Sequence, residues 1–163
     1  MSAWPLARFA LRSSSPLFET DLAALAAGRR ERIELALRWF YESNRRYAVD
    51  ALLSAWIAIE AVAMDGDGHI QPLKDLLAAA YGTTSGDVAA RLHLGRLSSI
   101  RAGIVHRGSR HSLAPLLVDY VQALFVDVLD VALNRPCRML AGARSEQVRE
   151  VVSATLAAME ANG

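Results

Sequence analysis

One segment of the chain carries the residue types best suited to phosphate chemistry: residues 101–108, with the sequence RAGIVHRG. A guanidinium can neutralise a phosphoryl oxygen, and an imidazole can accept or donate a proton near neutral pH. An arginine and a histidine in one short segment beside a glycine are therefore suited to act on a phosphate. We predict a phosphate site at Arg101 and His106, with Arg107 as a supporting cation.

The spacing of Arg101 and His106 places a condition on this prediction. Five residues of a continuous helix rise by about 7.5 Å and rotate by about 140°, so the two side chains would diverge. They converge if the long arginine side chain reaches across, if the helix distorts near Gly103, or if a second copy of the chain contributes. The sequence leaves these three arrangements open.

Glu60 is a charged residue inside the most apolar predicted helix. At the angular spacing of a helix it falls on one stripe with Leu53, Trp56 and Ala63, near the middle of the surface expected to face the core. A buried carboxylate without a partner is unfavourable, so Glu60 is expected to be neutral or to meet a cation. Arg101, beside the apolar side of its own helix, is the predicted partner. Such a pair could fix the packing of two helices or support a catalytic site.

The other residues with chemical potential predict neither a metal site nor a cofactor site. His69, His93 and His111 lack the spacing of metal ligands. The sequence has no glycine-rich phosphate loop and no serine nucleophile elbow. The single cysteine, Cys137, rules out an intramolecular disulfide, and its sequence context favours an inert thiol over a nucleophile.

The composition is that of a globular domain with a substantial core. Hydrophobic residues make up 53% of the 163 residues and charged residues 21%, which excludes a disordered tail. Apolar runs are shorter than the roughly 20 residues of a membrane span. Arg8 and Arg12 interrupt the segment in which an export signal would be apolar. The net charge of +1 provides no overall basic field. We expect a cytoplasmic protein that does not associate with membranes.

Apolar residues recur at helical spacing along most of the chain, and no segment alternates apolar and polar residues as a strand would. The pattern predicts helices over about residues 20–45, 47–64, 72–81, 88–104, 113–134 and 145–161. Gly28 could divide the first helix, and Asp87 is expected to cap the fourth. Loops are predicted at residues 65–68, 82–86 and 108–112.

These elements predict an all-α fold: a single antiparallel helical bundle with extra short helices. The core helices would be those at about 30–45, 47–64, 88–104 and 113–134. Residues 1–18, which contain prolines and a run of serines, are expected to be irregular. Residues 19–163 are expected to form one domain.

Three stretches of this chain resemble the HEPN superfamily, especially its Apea-like branch. They are 36–41 (ALRWFY), 50–61 (DALLSAWIAIEA) and 100–108 (IRAGIVHRG). Together they extend over residues 36–108, in the order and on the helices that HEPN domains show. The Arg-x4-His element alone is unspecific. Its combination with an aliphatic-rich helix ending in Ile-Glu-Ala, and with a glycine shortly after the histidine, is fairly specific.

The resemblance implies a HEPN-like helical bundle in which Arg101 and His106 are the family's catalytic pair and Glu60 is its frequent acidic residue. Many HEPN domains are metal-independent ribonucleases that act as toxins or in antiviral defence. Active members typically dimerise so that two motifs face one shared cleft. The resemblance therefore implies a homodimer with RNA as its substrate, and an antitoxin or a nucleotidyltransferase as a candidate partner.

One residue departs from the pattern of many active HEPN domains. They place a polar residue, often asparagine or aspartate, directly after the arginine, where this chain has Ala102. Some relatives bind nucleotides or partner proteins without cleaving RNA. Two functions therefore remain open. One is a metal-independent endoribonuclease that uses the 2′-hydroxyl of RNA and leaves a 2′,3′-cyclic phosphate. The other is a non-catalytic HEPN module that binds a nucleotide, an antitoxin or a partner domain.

Overall fold

The computed structural model describes residues 21–64, 69–107 and 113–161. In these residues the chain is helical and contains no strand, so the predicted all-α class is confirmed for them. The elements are α1 (Ala27–Ser43), α2 (Ala48–Ala63), α3 (Gln71–Tyr81), α4 (Ser85–Arg91), α5 (Leu94–Arg107), α6 (Pro115–Ala132), a 3-10 turn (Gly142–Arg144) and α7 (Ser145–Ala161). None of these helices is long and apolar enough to cross a membrane. The predicted irregular segment 1–18 and the predicted loops at 65–68 and 108–112 lie outside the described residues.

Helix α6 is the centre of the fold. From Leu117 to Asp130, every side chain except that of Asp119 is buried. A helix that is buried on all sides must be surrounded by other elements, and α6 packs against α1, α2, α3 and α7. The sequence predicted this helix with slightly wider bounds.

Helices α1 and α2 form an antiparallel pair beside α6. Near the start of α1, the Arg32 guanidinium donates from Nε to the carbonyl oxygen of Ala61 at 3.0 Å, and from Nη2 to that of Met64 at 2.8 Å. These carbonyls at the end of α2 lack intrahelical partners, so the arginine satisfies them. Near the other end of α1, the Phe40 ring stacks on Phe125 of α6, with centroids 4.4 Å apart. Both ends of α1 are thereby attached to the bundle.

The single helix predicted over 88–104 is wrong: the structure has two helices there, α4 and α5, separated at Leu92 and His93. His93 has a φ of 55°, in the left-handed region. Leu92 and Leu94 are both fully buried, although residues two apart on one helix point about 200° apart. The break therefore rotates the buried face of α5 relative to that of α4, so that α5 again faces the core. A single helical repeat over 88–104 cannot show such a rotation.

The N-cap of α4 is Thr84, and the prediction of Asp87 as the cap is wrong. Thr84 Oγ1 accepts the backbone N–H of Asp87 at 3.1 Å and donates its own hydrogen to the Asp87 carboxylate at 2.7 Å. Asp87 therefore lies in the first turn, where the helix dipole favours a negative charge. As a result α4 begins at Ser85, inside the segment predicted as a loop.

The bounds of α2, α3, α6 and α7 agree with the prediction to within two residues, whereas the first predicted helix is divided ahead of Gly28 and not at it. Helix α3 ends at Tyr81, and Gly82 follows it with a φ of 63°, the left-handed conformation that commonly ends a helix. Helix α7 covers Ser145–Ala161, as predicted. Ahead of α1 the helical structure is interrupted at residues 24–26, and Gly28 lies in the first turn of α1.

A buried carboxylate on α6 attaches the segment that leads to α7. Asp127 accepts the backbone N–H groups of Leu140 and Ala141, both at 3.0 Å, and the hydroxyl of Tyr81 at 2.9 Å. Burial raises the pKa of Asp127, and these three donors act in the opposite direction. The apolar pattern of α6 predicted a buried helix but gave no indication of this polar contact.

Candidate active site

Glu60 and Arg101 form an ion pair between α2 and α5. Arg101 Nη2 lies 3.2 Å from Glu60 Oε1 and 3.4 Å from Glu60 Oε2. The arginine side chain is 30% exposed and the glutamate side chain is 25% exposed. The prediction that these two residues pair within one chain is confirmed.

Glu60 lies at the edge of the core, not in the middle of the core-facing surface as its helical stripe predicted. Its neighbours Trp56 and Ile59 on α2 are buried, whereas the glutamate is partly exposed. Partial exposure reduces the desolvation that a fully buried ion pair suffers. It also leaves the Arg101 guanidinium accessible to an anion from solution.

Trp56 holds the Glu60 carboxylate from the inside of the bundle. Its Nε1 donates to Glu60 Oε1 at 2.9 Å, and the tryptophan is only 2% exposed. The same oxygen thus contacts both the indole and the Arg101 guanidinium. The helical spacing places Trp56 on the same stripe as Glu60, but the hydrogen bond between them was not predicted. The available signal was their spacing of four residues, which puts two side chains next to each other on a helix.

His106 lies near the end of α5, on the same helix as Arg101, and its side chain is exposed. Helix α5 continues without interruption through Gly103, so the rotation of about 140° between the two residues applies. The Arg101 side chain is engaged with Glu60 rather than extended toward the histidine. Of the three arrangements that the sequence left open, the structure therefore shows neither a helix distorted at Gly103 nor an arginine that reaches across to the histidine.

The end of α5 also exposes an apolar residue beside the histidine. Val105 is 50% exposed, so solvent reaches an apolar side chain next to His106. Arg107 is the last residue of α5, and its side chain lies outside what the structure describes. The supporting role of Arg107 therefore stays a prediction.

The surroundings of His93 and Cys137 indicate structural rather than catalytic roles. His93 Nε2 lies 2.9 Å from the carbonyl oxygen of Ser145, at the start of α7. Cys137 is partly buried, and burial raises the pKa of its thiol to about 11, which supports the interpretation of an inert thiol. No group of three or more histidine, cysteine, aspartate or glutamate side chains that could hold a metal ion occurs within residues 21–64, 69–107 and 113–161.

Comparisons of the chain with family models, with curated proteins and with solved structures find no match. The chemistry of the site must therefore be inferred from its residues. Arg101 provides a partly exposed cation, which the Glu60 carboxylate holds, and the Trp56 indole holds that carboxylate in turn. His106 provides an exposed imidazole. Such groups can stabilise negative charge and transfer protons, which are the two requirements of a reaction at a phosphodiester.

Proposed function

We propose that this protein is a metal-independent endoribonuclease of the HEPN type, with a role as a toxin or in defence. The observation that carries the proposal is the Glu60–Arg101 ion pair, which holds a partly exposed guanidinium on the same helix as the exposed His106. The 2′-hydroxyl of RNA would attack the adjacent phosphorus. The 5′-oxygen would leave, and the product would carry a 2′,3′-cyclic phosphate.

Arg101 would stabilise the extra negative charge that develops on the phosphorane-like transition state. A donor that is already oriented toward that charge needs little reorganisation during the reaction, which makes it effective. The Glu60 carboxylate orients Arg101, and the buried Trp56 indole orients Glu60. Glu60 and Trp56 are thus positioning residues rather than groups that touch the RNA.

His106 would exchange protons with the 2′-hydroxyl or with the departing 5′-oxygen. Imidazole suits either role near neutral pH. One histidine per site provides only one of these roles at a time. A second His106, from the other copy in a homodimer, would provide the opposite role.

A homodimer with two-fold symmetry would also resolve the divergence of Arg101 and His106 along α5. In such a dimer the same surface of each copy meets the other, so residues near the axis face their own counterparts. The half-exposed Val105 next to His106 provides an apolar contact at this end of the helix. Arg101 of one copy and His106 of the other would then act on the same phosphate.

The second candidate function is a non-catalytic HEPN module that binds a nucleotide, an antitoxin or a partner domain such as a nucleotidyltransferase. Ala102 favours this alternative, because many active HEPN domains have a polar residue at that position. In that case the Glu60–Arg101 pair would fix the packing of α2 against α5 and would have no chemical role.

The test is cleavage of a mixed pool of single-stranded RNA oligonucleotides by the full chain in excess EDTA. We expect cleavage with 2′,3′-cyclic phosphate ends, detected by mass spectrometry. An oligonucleotide with a 2′-deoxy residue at the cut site is the matched control and should remain intact. Cleavage of DNA or loss of activity in EDTA would contradict this mechanism, and the absence of any RNA cleavage would favour the non-catalytic module.

A further inference from the structure

A cationic pocket lies at the opposite end of α5 from His106. It has a volume of about 530 Å³ and is formed where α3, α4, α5 and α7 meet. Its lining residues are Lys74, Ala89, Ala90, His93, Gly95, Arg96 and Arg149. The volume falls within the range of small-molecule sites, which is about 300–1,000 Å³.

Three basic side chains, those of Lys74, Arg96 and Arg149, line this pocket, and they come from three different helices. Lys74 and Arg96 form no ion pair within the described residues; Arg96 Nη1 donates to the hydroxyl of Ser153 at 2.9 Å. Arg149 pairs with Glu146. Positive charge therefore exceeds negative charge around the opening, although the whole chain is almost neutral.

Asp75, which follows Lys74 in the chain, already accepts hydrogen bonds from neighbouring side chains. Asp75 accepts hydrogen bonds from Gln71 Nε2 at 2.7 Å and from the hydroxyl of Ser85. These hydrogen bonds, that from Ser85 above all, lower the pKa of Asp75, so it stays ionised, and Oδ1 accepts both of them, from partners on α3 and α4. Asp75 thus reduces the local potential without closing an ion pair across the pocket.

One hydrogen bond fixes His93 in the wall of the pocket, and small residues leave its interior open. His93 Nε2 is bound to the Ser145 carbonyl oxygen, and a carbonyl only accepts, so this nitrogen carries a hydrogen. The small residues Ala89, Ala90 and Gly95 leave space between the cations. A Cβ atom added at Gly95 would meet no atom within 4 Å, apart from its own helix and its neighbours in the chain.

We propose that this pocket binds a small anion that carries two or more linked phosphates, either as inorganic polyphosphate or as the polyphosphate of a nucleotide. Guanidinium groups form paired hydrogen bonds with phosphate oxygens, and an ammonium group acts as a point charge. Cations from three helices around one opening suit a chain of phosphates better than a single one. The proposal stands independently of RNA cleavage, since it concerns other residues and is tested without RNA.

The single lysine of the chain allows a direct test. The intact protein is treated with an amine-acylating reagent while inorganic tripolyphosphate is titrated, and the acylation rate of Lys74 is followed by mass spectrometry. The α-amino group of the same chain is the internal reference. At a tripolyphosphate concentration of about ten times Kd, mass action predicts that Lys74 is acylated about tenfold more slowly. The reference rate should not change.

Parallel measurements identify the ligand and the residues that bind it. We expect ATP to protect Lys74 as tripolyphosphate does, and adenosine to give no protection. Arg96→Gln should weaken binding by about tenfold or more, since it removes a charged hydrogen-bond donor. Arg38→Gln, which removes an exposed arginine of α1 outside the pocket, should leave the Kd unchanged. Gly95→Leu should also prevent protection, because it fills the opening without changing the charge.

The proposal is overturned if tripolyphosphate leaves the Lys74 rate unchanged in the folded protein. Equal protection by sulfate at matched ionic strength would also overturn it, because the effect would then be screening of charge. A third contrary result is an Arg96→Gln variant that binds as tightly as Arg38→Gln. Circular dichroism of each variant shows whether it has kept the helical fold, and Gly95→Leu provides a variant with all cations intact.

Discussion

The indole of Trp56 and the carboxylate of Glu60 are joined by a hydrogen bond of 2.9 Å across one turn of α2. Because the tryptophan is buried, it fixes the carboxylate in one place, and the carboxylate in turn receives Arg101 from α5. The core thereby determines the position of a guanidinium that is itself accessible to solvent. The buried Trp56 thus orients Glu60, and Glu60 orients the exposed guanidinium of Arg101, as a preoriented anion-binding group requires.

Glu60→Ala should lower the free energy of unfolding by about 1–3 kcal/mol. The variant leaves the Trp56 N–H without its acceptor, and an unsatisfied buried donor is unfavourable by about that amount. The lost ion pair adds little, since partly exposed pairs contribute about 0–1 kcal/mol. Chemical denaturation followed by tryptophan fluorescence measures the change.

Glu60→Gln is the matched control for that experiment. The amide oxygen can still accept the Trp56 N–H, so we expect a smaller loss of stability than in Glu60→Ala. The double variant Glu60→Leu with Arg101→Met should recover only the small part of the loss that comes from the ion pair, because the Trp56 N–H still has no acceptor. If the losses from Glu60→Leu and Arg101→Met simply add in this double variant, the two residues are not coupled.

His106→Ala should reduce RNA cleavage by about 10²–10⁴-fold and leave the fold intact, because general acid–base catalysis contributes a factor of that size. Cleavage rates of a labelled RNA and the circular dichroism spectrum measure the two effects. His69→Ala, which removes another exposed histidine, is the control and should retain activity. Full activity of His106→Ala would rule out the proposed proton transfer.

The composite site makes a specific prediction about mixed dimers. Arg101→Ala and His106→Ala should each be inactive alone, but co-refolding them together should restore cleavage. In a heterodimer, the intact Arg101 of one chain meets the intact His106 of the other. Random pairing makes about half of the dimers heterodimers, each with one intact Arg101 opposite one intact His106. Because these heterodimers lack the second His106, we expect more cleavage than either variant gives alone but less than about a quarter of the wild-type activity.

A mixture that cleaves no faster than the two separate variants would contradict a site shared between the two chains. Light scattering of the wild-type protein is the supporting measurement. A monomeric mass at high protein concentration would contradict both the homodimer and the composite site. Val105→Glu, which introduces like charges close to the proposed axis, should shift the mass toward the monomer.

The sequence predicted most of the helices because their apolar stripes are long and regular. It predicted the Glu60–Arg101 pair from the physical need of a carboxylate near the core to meet a cation, and this reasoning holds even though Glu60 lies at the edge of the core. The degree of its burial could not be predicted, since a stripe gives the direction of a side chain but not how far the neighbouring helices extend.

The features that the sequence missed depend on contacts between distant residues. The left-handed His93 separates α4 from α5 while its ring contacts Ser145, more than fifty residues later. The cationic pocket joins Lys74, Arg96 and Arg149, which no local pattern connects. Periodicity describes one helix at a time, so it contains no information about which helices meet.

Ala102→Asn separates the two candidate functions. If the chain is an active HEPN ribonuclease, restoring the polar residue common in active members should maintain or raise the cleavage rate. Ala102 is partly exposed on α5, so asparagine can be accommodated with a small loss of helix stability. Ala102→Leu is the apolar control and should not raise the rate. Cleavage that appears only in Ala102→Asn would show that the natural chain is a non-catalytic module.

Cys137 should react slowly with thiol reagents near pH 8. Burial raises the pKa of its thiol to about 11, whereas a free cysteine titrates near 8.5, so the folded chain contains about two-hundredfold less thiolate at this pH. The reaction with a disulfide reagent should accelerate as the pH rises toward 11. Because Cys137 is the only cysteine, the signal comes from one site, and the same chain unfolded in urea provides the control rate. Equal rates in the folded and unfolded chains would contradict the raised pKa and would make Cys137 a candidate nucleophile.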